Sequence, residues 1–249
     1  MEATRIGELG EYKINIQLDQ LPKNCKYLSD LLIINPKSKS GYSQIDHVVI
    51  TPQAIFVIET KNYQGTIYGH RERAKWNVNG KFQMLNPFHQ NFGHIQAINS
   101  ILKTVDTTSF ISIVSFSRRC TFKVNEELRK IHSNDLIVYD TELSDFISRK
   151  LNVLRLNLQI KIFSDEDILD MYNILNESNI TDLITREKHI KLIKGEIDNP
   201  NKEVKSFTKC VTCGEKVSEK VKNYCLTNKD KFQGNVYCYE HQNSRTRNK

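Results

Sequence analysis

Residues 44–61 of this 249-residue chain read QIDHVVITPQAIFVIETK, and this stretch predicts a β-hairpin. Two runs rich in β-branched residues, 44–50 and 55–61, flank a Thr-Pro-Gln-Ala segment that suits a turn. Because side chains in a strand alternate between the two faces of a sheet, this turn sets the register of the two arms. We therefore expect Asp46 and Glu59 to lie opposite each other on one face.

Two opposed carboxylates on neighbouring strands repel each other unless a cation lies between them. Mg²⁺ is commonly held by one or two carboxylates together with water and substrate phosphate, so Asp46 and Glu59 form a candidate metal site. Lys61 points to the same side, where an ammonium group can orient a water or stabilise charge on a phosphate. The same pattern is compatible with a solvated strand face that carries an ordinary contact between Glu59 and Lys61.

The flanking sequence predicts helices interspersed with strands. Apolar residues at helical spacing predict an amphipathic helix from Ile6 to about Leu21, and another helix begins near Pro87. Short apolar runs at 110–116 and 136–139 predict buried strands. This arrangement indicates an α/β layer architecture.

Four separated motifs resemble the nuclease-related domain (NERD) family, which is considered a relative of the PD-(D/E)xK nucleases. In chain order the motifs are GELGE at 7–11, QIDHVVI at 44–50, FVIETKNYQG at 56–65 and NPFHQN at 86–91. Together they cover residues 7–91, with a weaker likeness to about residue 150. The resemblance implies an α/β fold with a restriction-endonuclease-like mixed sheet flanked by helices.

The resemblance also implies the roles of five residues. Asp46 and Glu59 would bind Mg²⁺ or Mn²⁺, and Lys61 would assist catalysis. Glu11, on the first helix, would be an additional acidic member, and Gln90 would lie at the start of a helix that borders the site. The implied enzyme is a Mg²⁺-dependent deoxyribonuclease of the PD-(D/E)xK type. Glu11 and Gln90 also have simpler interpretations, as a carboxylate near a helix start and as a capping or surface amide.

The C-terminal segment differs in composition from the rest of the chain. Residues 201–249 contain 11 Lys and Arg against 5 Asp and Glu, so they carry most of the formal net charge of +7. The chain has six cysteines, and four of them lie after residue 209. In a chain that opens without a secretory signal, this usage favours metal binding over a disulfide framework.

The spacing of these cysteines predicts a zinc site. Cys210-x₂-Cys213 and Cys238-x₂-His241 are two close ligand pairs that could converge on one tetrahedral Zn²⁺, with Cys225 as a possible substitute for His241. A module this short usually needs a metal to fold, and a site with four protein ligands is structural. The segment resembles, more loosely, small zinc modules of microbial DNA-processing proteins. Its basic residues could contact phosphates or serve only solubility.

These observations predict three segments: a nuclease-like domain at 1–177, a helical linker at 178–205 and a basic Cys/His zinc-binding module at 206–249. No apolar run is long enough to cross a bilayer and no signal peptide opens the chain, so we expect a cytoplasmic protein that does not act on membranes. The predicted function is metal-dependent hydrolysis of nucleic acid, with DNA favoured over RNA and the zinc module aiding binding. The alternatives are a non-catalytic nucleic-acid-binding or adaptor protein that keeps the nuclease fold, and a protein-interaction module.

Overall fold

The structure, a computed structural model, describes four stretches of the chain: residues 12–103, 105–158, 162–196 and 209–244. The chain divides into two compact units, Met1–Ile197 and Asp198–Lys249. None of the helices in the described stretches is long and apolar enough to cross a membrane.

The described part of the first unit contains strands and helices in a mixed order. Its strands are β1 (Lys26–Ile34), β2 (Tyr42–Ile50), β3 (Ile55–Lys61), β4 (Gly65–Tyr68), β5 (Lys75–Val78), β6 (Phe82–Leu85), β7 (Phe110–Phe116), β8 (Cys120–Lys123) and β9 (Asp135–Tyr139). Its helices are α1 (residues 12–18), α2 (Pro87–Leu102), α3 (Leu143–Leu158), α4 (Asp165–Glu177) and α5 (Leu183–Lys194).

Five strands form the central sheet, in the spatial order β1-β2-β3-β7-β9. β1, β2 and β3 are antiparallel neighbours, whereas β3, β7 and β9 run parallel. The remaining four strands form a smaller sheet in the order β6-β5-β4-β8. The mixed α/β architecture predicted from the sequence is therefore confirmed.

The hairpin between β2 and β3 has the predicted turn and register. The backbone N–H of Thr51 donates to the carbonyl oxygen of Ala54 at 3.0 Å, which closes the turn. Val48 pairs with Val57 across the two strands. This register follows from the turn because a shift by one residue would exchange the two faces of the hairpin.

Helices cover both faces of the central sheet. Buried residues of α1 and α3 pack on one face: Ile14, Leu18, Phe146 and Ile147. Buried residues of α2 and α4 pack on the other: Ala97, Ile98, Leu102, Ile168, Met171 and Leu175. A strand covered on both faces has no polar side, which explains the wholly buried run of β7.

The small sheet packs on α2 and β7 through aromatic residues. Trp76 of β5 is buried, and its ring centroid lies 5.8 Å from that of Phe88 on α2. Gly65 begins β4 with a positive φ of 96°, and a Cβ atom there would lie 2.1 Å from Asn79 Oδ1. The last residue of the FVIETKNYQG motif must therefore be glycine for the chain to turn into the small sheet.

The predicted helical linker contains α5, which contacts the central sheet. Arg186 Nη1 lies 2.6 Å from Asp30 Oδ2, in β1. Just before α5, the backbone N–H of Ile180 donates to the carbonyl oxygen of Leu32 at 2.8 Å. The helix is thus part of the first unit.

The described part of the second unit, residues 209–244, contains a small core and three short helices. These are α6 (Glu219–Thr227), α7 (Lys229–Phe232) and α8 (Tyr239–Ser244). The buried residues of its core are Cys210, Val217, Cys225, Phe232, Val236, Tyr237 and Cys238. Three of these seven are cysteines, so apolar packing alone supplies little stability here.

Candidate functional site

Glu59, near the end of β3, is buried, and two side chains bind one of its carboxylate oxygens. Lys61 Nζ lies 2.5 Å from Glu59 Oε1, and Gln90 Nε2 donates to the same oxygen at 2.8 Å. Lys61 Nζ also donates to Gln90 Oε1 at 3.2 Å, so the three side chains form a closed network. Because only 3% of Glu59 is exposed, it does not belong to a solvated strand face.

Asp46 lies at the same end of the hairpin. His47 pairs with Ile58, so Asp46 and Glu59 are the next positions along the two strands. Asp46 Oδ2 accepts a hydrogen bond of 2.6 Å from the backbone N–H of Thr60. The carboxylate of Asp46 is thereby held against β3, beside the residues of the closed network.

The second carboxylate oxygen of Glu59, Oε2, is buried and accepts no hydrogen bond from the described residues. His94 Nε2 lies 3.6 Å from it, which is beyond ordinary hydrogen-bond distance. A buried charged oxygen without a donor is costly, and a cation would relieve that cost. With Asp46 close by, the oxygen donors fit a divalent ion such as Mg²⁺ or Mn²⁺.

The charges of this network stabilise one another. Burial raises the pKa of Glu59, but the contacts with His94 and Lys61 outweigh burial and lower that pKa below its ordinary value. Burial lowers the pKa of Lys61, but Glu59, with a smaller contribution from Asp46, outweighs burial and raises that pKa. At neutral pH Glu59 is therefore an anion and Lys61 a cation.

The start of α2 positions Gln90 next to Glu59. Asn86 caps the helix, because its Oδ1 accepts a 3.0 Å hydrogen bond from the backbone N–H of Phe88. Asn91 Nδ2 donates to the carbonyl oxygen of Val57 at 3.1 Å and so ties α2 to β3. Gln90, the residue between these two contacts, is thereby fixed against the end of β3.

Two other residues bear on the predicted site. His47 faces away from Asp46, is buried, and has its Nε2 at 3.0 Å from Asn15 Oδ1. Burial lowers the pKa of His47 to about 4, so its ring is neutral at neutral pH. Glu11 lies outside the described residues, and its role stays a prediction.

Sequence reasoning missed two residues that support the network. His94 lies four positions after Gln90, and residues at this spacing share one face of a helix. That spacing could have identified His94 as a neighbour of the site. Asn91 ends the NPFHQN motif, but its bond to Val57 depends on how α2 packs on β3 and could not be inferred from spacing.

In the second unit, four side chains bring their ligand atoms within 4.8 Å of one another: Cys210, Cys213, Cys238 and His241. Cys238 Sγ lies 3.1 Å from His241 Nδ1 and 3.8 Å from Cys213 Sγ. Burial raises the pKa of Cys210, but hydrogen bonds, chiefly from the backbone of Cys238 and Cys213, outweigh burial and lower it to about 6. This Cys₃His cluster could hold a metal ion, because thiolates and imidazoles bind metals in deprotonated form.

Cys225 stands apart from the Cys₃His cluster. Its buried thiol lies 3.6 Å from the carbonyl oxygen of Tyr237 and accepts a hydrogen bond of 3.3 Å from Gln242 Nε2. The structure thus brings His241 to the other three ligands and places Cys225 in the core of the unit.

Three comparisons with known proteins gave matches to this chain. The model of the nuclease-related domain family matches residues 6–117, which include all four described residues of the predicted active site. An uncharacterised protein of Bacillus anthracis, pXO1-01, is 30% identical over 192 residues, which are 75% of this chain and 83% of that protein. The crystal structure of AF1548, a protein of unknown function, is 10% identical with a TM-score of 0.29, over 75% of this chain and 97% of that one. That TM-score is too low to indicate a shared fold.

Proposed function

The chain belongs to the nuclease-related domain family, and from this premise we propose that it is a metal-dependent nuclease that hydrolyses phosphodiester bonds of DNA. The unequal surroundings of the two carboxylate oxygens of Glu59 are the observation that carries the proposal. One of its oxygens is bound by Lys61 and Gln90, and the other is buried without a hydrogen-bond donor among the described residues. A buried carboxylate with one oxygen that lacks a donor favours the binding of a cation.

Each residue of the network has a role in this reaction. Asp46 and Glu59 would hold Mg²⁺ or Mn²⁺ through oxygen ligands. A bound ion supplies positive charge for the phosphate group and activates a water for attack. The ammonium group of Lys61 orients that water or stabilises the charge that develops on the phosphate oxygens. Gln90 holds both Glu59 and Lys61 in place through its amide.

For the second unit we propose a structural Zn²⁺ and a contribution to nucleic-acid affinity. Three thiolates and one imidazole favour Zn²⁺ over Mg²⁺, and four protein ligands leave no open position for catalysis. The excess of Lys and Arg over Asp and Glu in residues 201–249 supports contacts with phosphates. Such contacts add affinity that depends on salt but not on sequence.

Cleavage of DNA by the 249-residue chain tests whether it is a nuclease. Linear, circular and single-stranded DNA are incubated with Mg²⁺, with Mn²⁺, or without added metal. Omitting the metal is a cleaner negative control than EDTA, since a chelator would also remove an ion from the Cys₃His cluster. Cutting of circular DNA would identify an endonuclease.

Two variants complete this experiment. Asp46→Ala should abolish the metal-dependent cutting. Asp145→Ala, which removes an exposed carboxylate of α3 that only approaches Arg149 at 3.7 Å, should leave it unchanged. Binding of all these DNAs without any cutting would contradict the proposal and favour a non-catalytic nucleic-acid-binding protein.

A further inference from the structure

The carboxyl ends of β3 and β7, which are parallel neighbours, meet beside Lys61. The backbone N–H of Ser117, just after β7, donates to the carbonyl oxygen of Lys61 at 3.2 Å. The backbone N–H of Gly65 donates to the carbonyl oxygen of Arg119 at 3.0 Å. The residues that follow β7 therefore lie against those that follow β3. In open α/β sheets, ligands bind outside the carboxyl ends of the parallel strands.

Arg119 is an exposed residue whose guanidinium group is held by two neutral acceptors. Its Nη2 donates to Asn62 Oδ1 at 3.0 Å, and its Nε donates to Ser117 Oγ at 3.2 Å. Asn62 directly follows Lys61 in the chain. These bonds restrict the Arg119 side chain without neutralising its charge. The side chain therefore loses less conformational entropy when it binds a ligand.

Arg118 places a second cation next to Arg119. Its guanidinium carbon lies 4.5 Å from the centroid of the Tyr139 ring, and its backbone N–H donates to Asp140 Oδ1 at 3.0 Å. Within the described part of the chain, neither arginine side chain forms an ion pair with a carboxylate. Among the described residues, this edge of the sheet thus presents two guanidinium groups that form no ion pair with a carboxylate.

We propose that Arg119, with Arg118 beside it, binds a phosphate of the nucleic-acid backbone that flanks the phosphate attacked at Glu59 and Lys61. A guanidinium group forms two parallel hydrogen bonds with phosphate oxygens, a geometry that a lysine cannot reproduce. The contact positions the nucleic acid without reading its sequence. Because Arg119 bonds Asn62, the residue directly after Lys61, the phosphate would be held in a set position relative to the candidate active site. The inference rests on the proposed function.

The salt dependence of binding tests this contact without requiring cleavage. The 249-residue chain carrying Glu59→Gln is the parent, and it is titrated with labelled duplex DNA at several salt concentrations. Removal of one phosphate contact lowers the slope of log K against log[salt] by about 0.9 for a duplex. We expect this decrease for Arg119→Ala and for Arg119→Gln. Glutamine at position 119 keeps a donor for Asn62. This variant therefore shows the effect of the lost charge on the slope even if alanine disturbs the residues that follow β7.

Arg155→Ala is the matched control. Arg155 is also exposed, and its Nη2 likewise donates to an asparagine, Asn152, at 3.1 Å, but it lies on α3. Its removal should leave the slope unchanged, and Arg119→Lys should keep the slope while weakening affinity. Equal slopes for Arg119→Ala, Arg119→Gln and Arg155→Ala would overturn this inference alone. Failure of the parent chain to bind any DNA would overturn the proposed function and this inference together.

Discussion

Lys61 Nζ and Glu59 Oε1 lie 2.5 Å apart, and the side chains of this ion pair are 20% and 4% exposed. The attraction between two buried charges is largely offset by the cost of removing them from water, so such a pair contributes little net stability. In addition, Glu59 Oε2 accepts no hydrogen bond from the described residues, and this adds to the cost of removing the carboxylate from water. The proposed function gives a reason for this ion pair that its contribution to stability does not.

Replacing Glu59 by glutamine should remove the proposed activity while keeping the fold. Glu59→Gln retains the shape of the side chain and its acceptor for Lys61, but it removes the negative charge that would hold the metal ion. We expect metal-dependent DNA cleavage to fall at least about a hundredfold. Glu166→Gln, on the exposed surface of α4, is the control. Undiminished cleavage by a folded Glu59→Gln variant would exclude Glu59 from the active site.

Gln90→Ala should lower activity less than Glu59→Gln does. Gln90 bonds both Glu59 and Lys61, so its loss leaves the two groups in place but less well oriented. Loss of such an orienting group costs about 10- to 100-fold in activity or metal affinity. The cleavage rate is measured as a function of Mg²⁺ concentration. Gln64→Ala, at an exposed position after β3, should behave as the unmodified chain; equal rates for both variants would contradict a role for Gln90.

His47 should make the first unit less stable as pH falls from about 6.5 to about 4. The pKa of His47 is lowered from 6.5 to about 4 by burial. Between these values the unfolded chain binds a proton that the folded chain does not, so acidification favours unfolding by up to about 3 kcal/mol. Urea unfolding followed by fluorescence of Trp76, the one tryptophan of the chain, measures this change. The His47→Gln variant should show a smaller loss of stability over the same interval, and parallel pH profiles would contradict the prediction.

Substitutions of cysteines should separate metal ligands from core residues in the second unit. Cys213→Ser and His241→Ala each remove a member of the Cys₃His cluster, so both should reduce the Zn²⁺ content of the purified chain. Cys225→Ser should keep the metal and only loosen the core. Elemental analysis measures metal per chain. Loss of metal in Cys225→Ser with retention in His241→Ala would show that Cys225 is the fourth ligand.

Lys150→Met should destabilise the first unit by about 3 kcal/mol, because it removes charge-assisted hydrogen bonds from a buried ammonium group to backbone carbonyl oxygens. Lys150 is buried, and its Nζ donates to the carbonyl oxygens of Ile131, His132 and Ser133 at 3.1, 3.2 and 2.9 Å. Urea unfolding with tryptophan fluorescence as the signal measures the loss. Arg149→Met, at the exposed neighbouring position, should change the free energy of unfolding by less than about 0.5 kcal/mol. Similar values for both variants would contradict the prediction.

The hairpin was predictable because its determinants are local. Four turn residues and the two-residue period of the strands set the register, and that register brings Asp46 and Glu59 to the same end. The burial of Glu59 was not predictable in this way. It depends on α2, whose Gln90 contacts Glu59 from 31 positions away in the chain.

The Cys₃His cluster was also predictable only in part. The spacing Cys210-x₂-Cys213 and Cys238-x₂-His241 predicted two ligand pairs, because residues two or three positions apart in a turn can face one ion. Spacing could not choose between His241 and Cys225. That choice depends on the packing of the small core, in which the Cys225 thiol contacts Tyr237 and Gln242.

The register of the hairpin, the membership of the family and the set of candidate ligands were predictable from the amino-acid sequence, because each of these depends on short-range pattern. The tertiary structure was needed to show which oxygen of Glu59 has no donor among the described residues and which arginine bonds Asn62, the residue after Lys61. Arg119 bonds Asn62 across 57 positions of the chain. The parallel pairing of β3 with β7 creates this proximity, and contacts between parallel strands depend on the packing of the whole sheet rather than on adjacent residues.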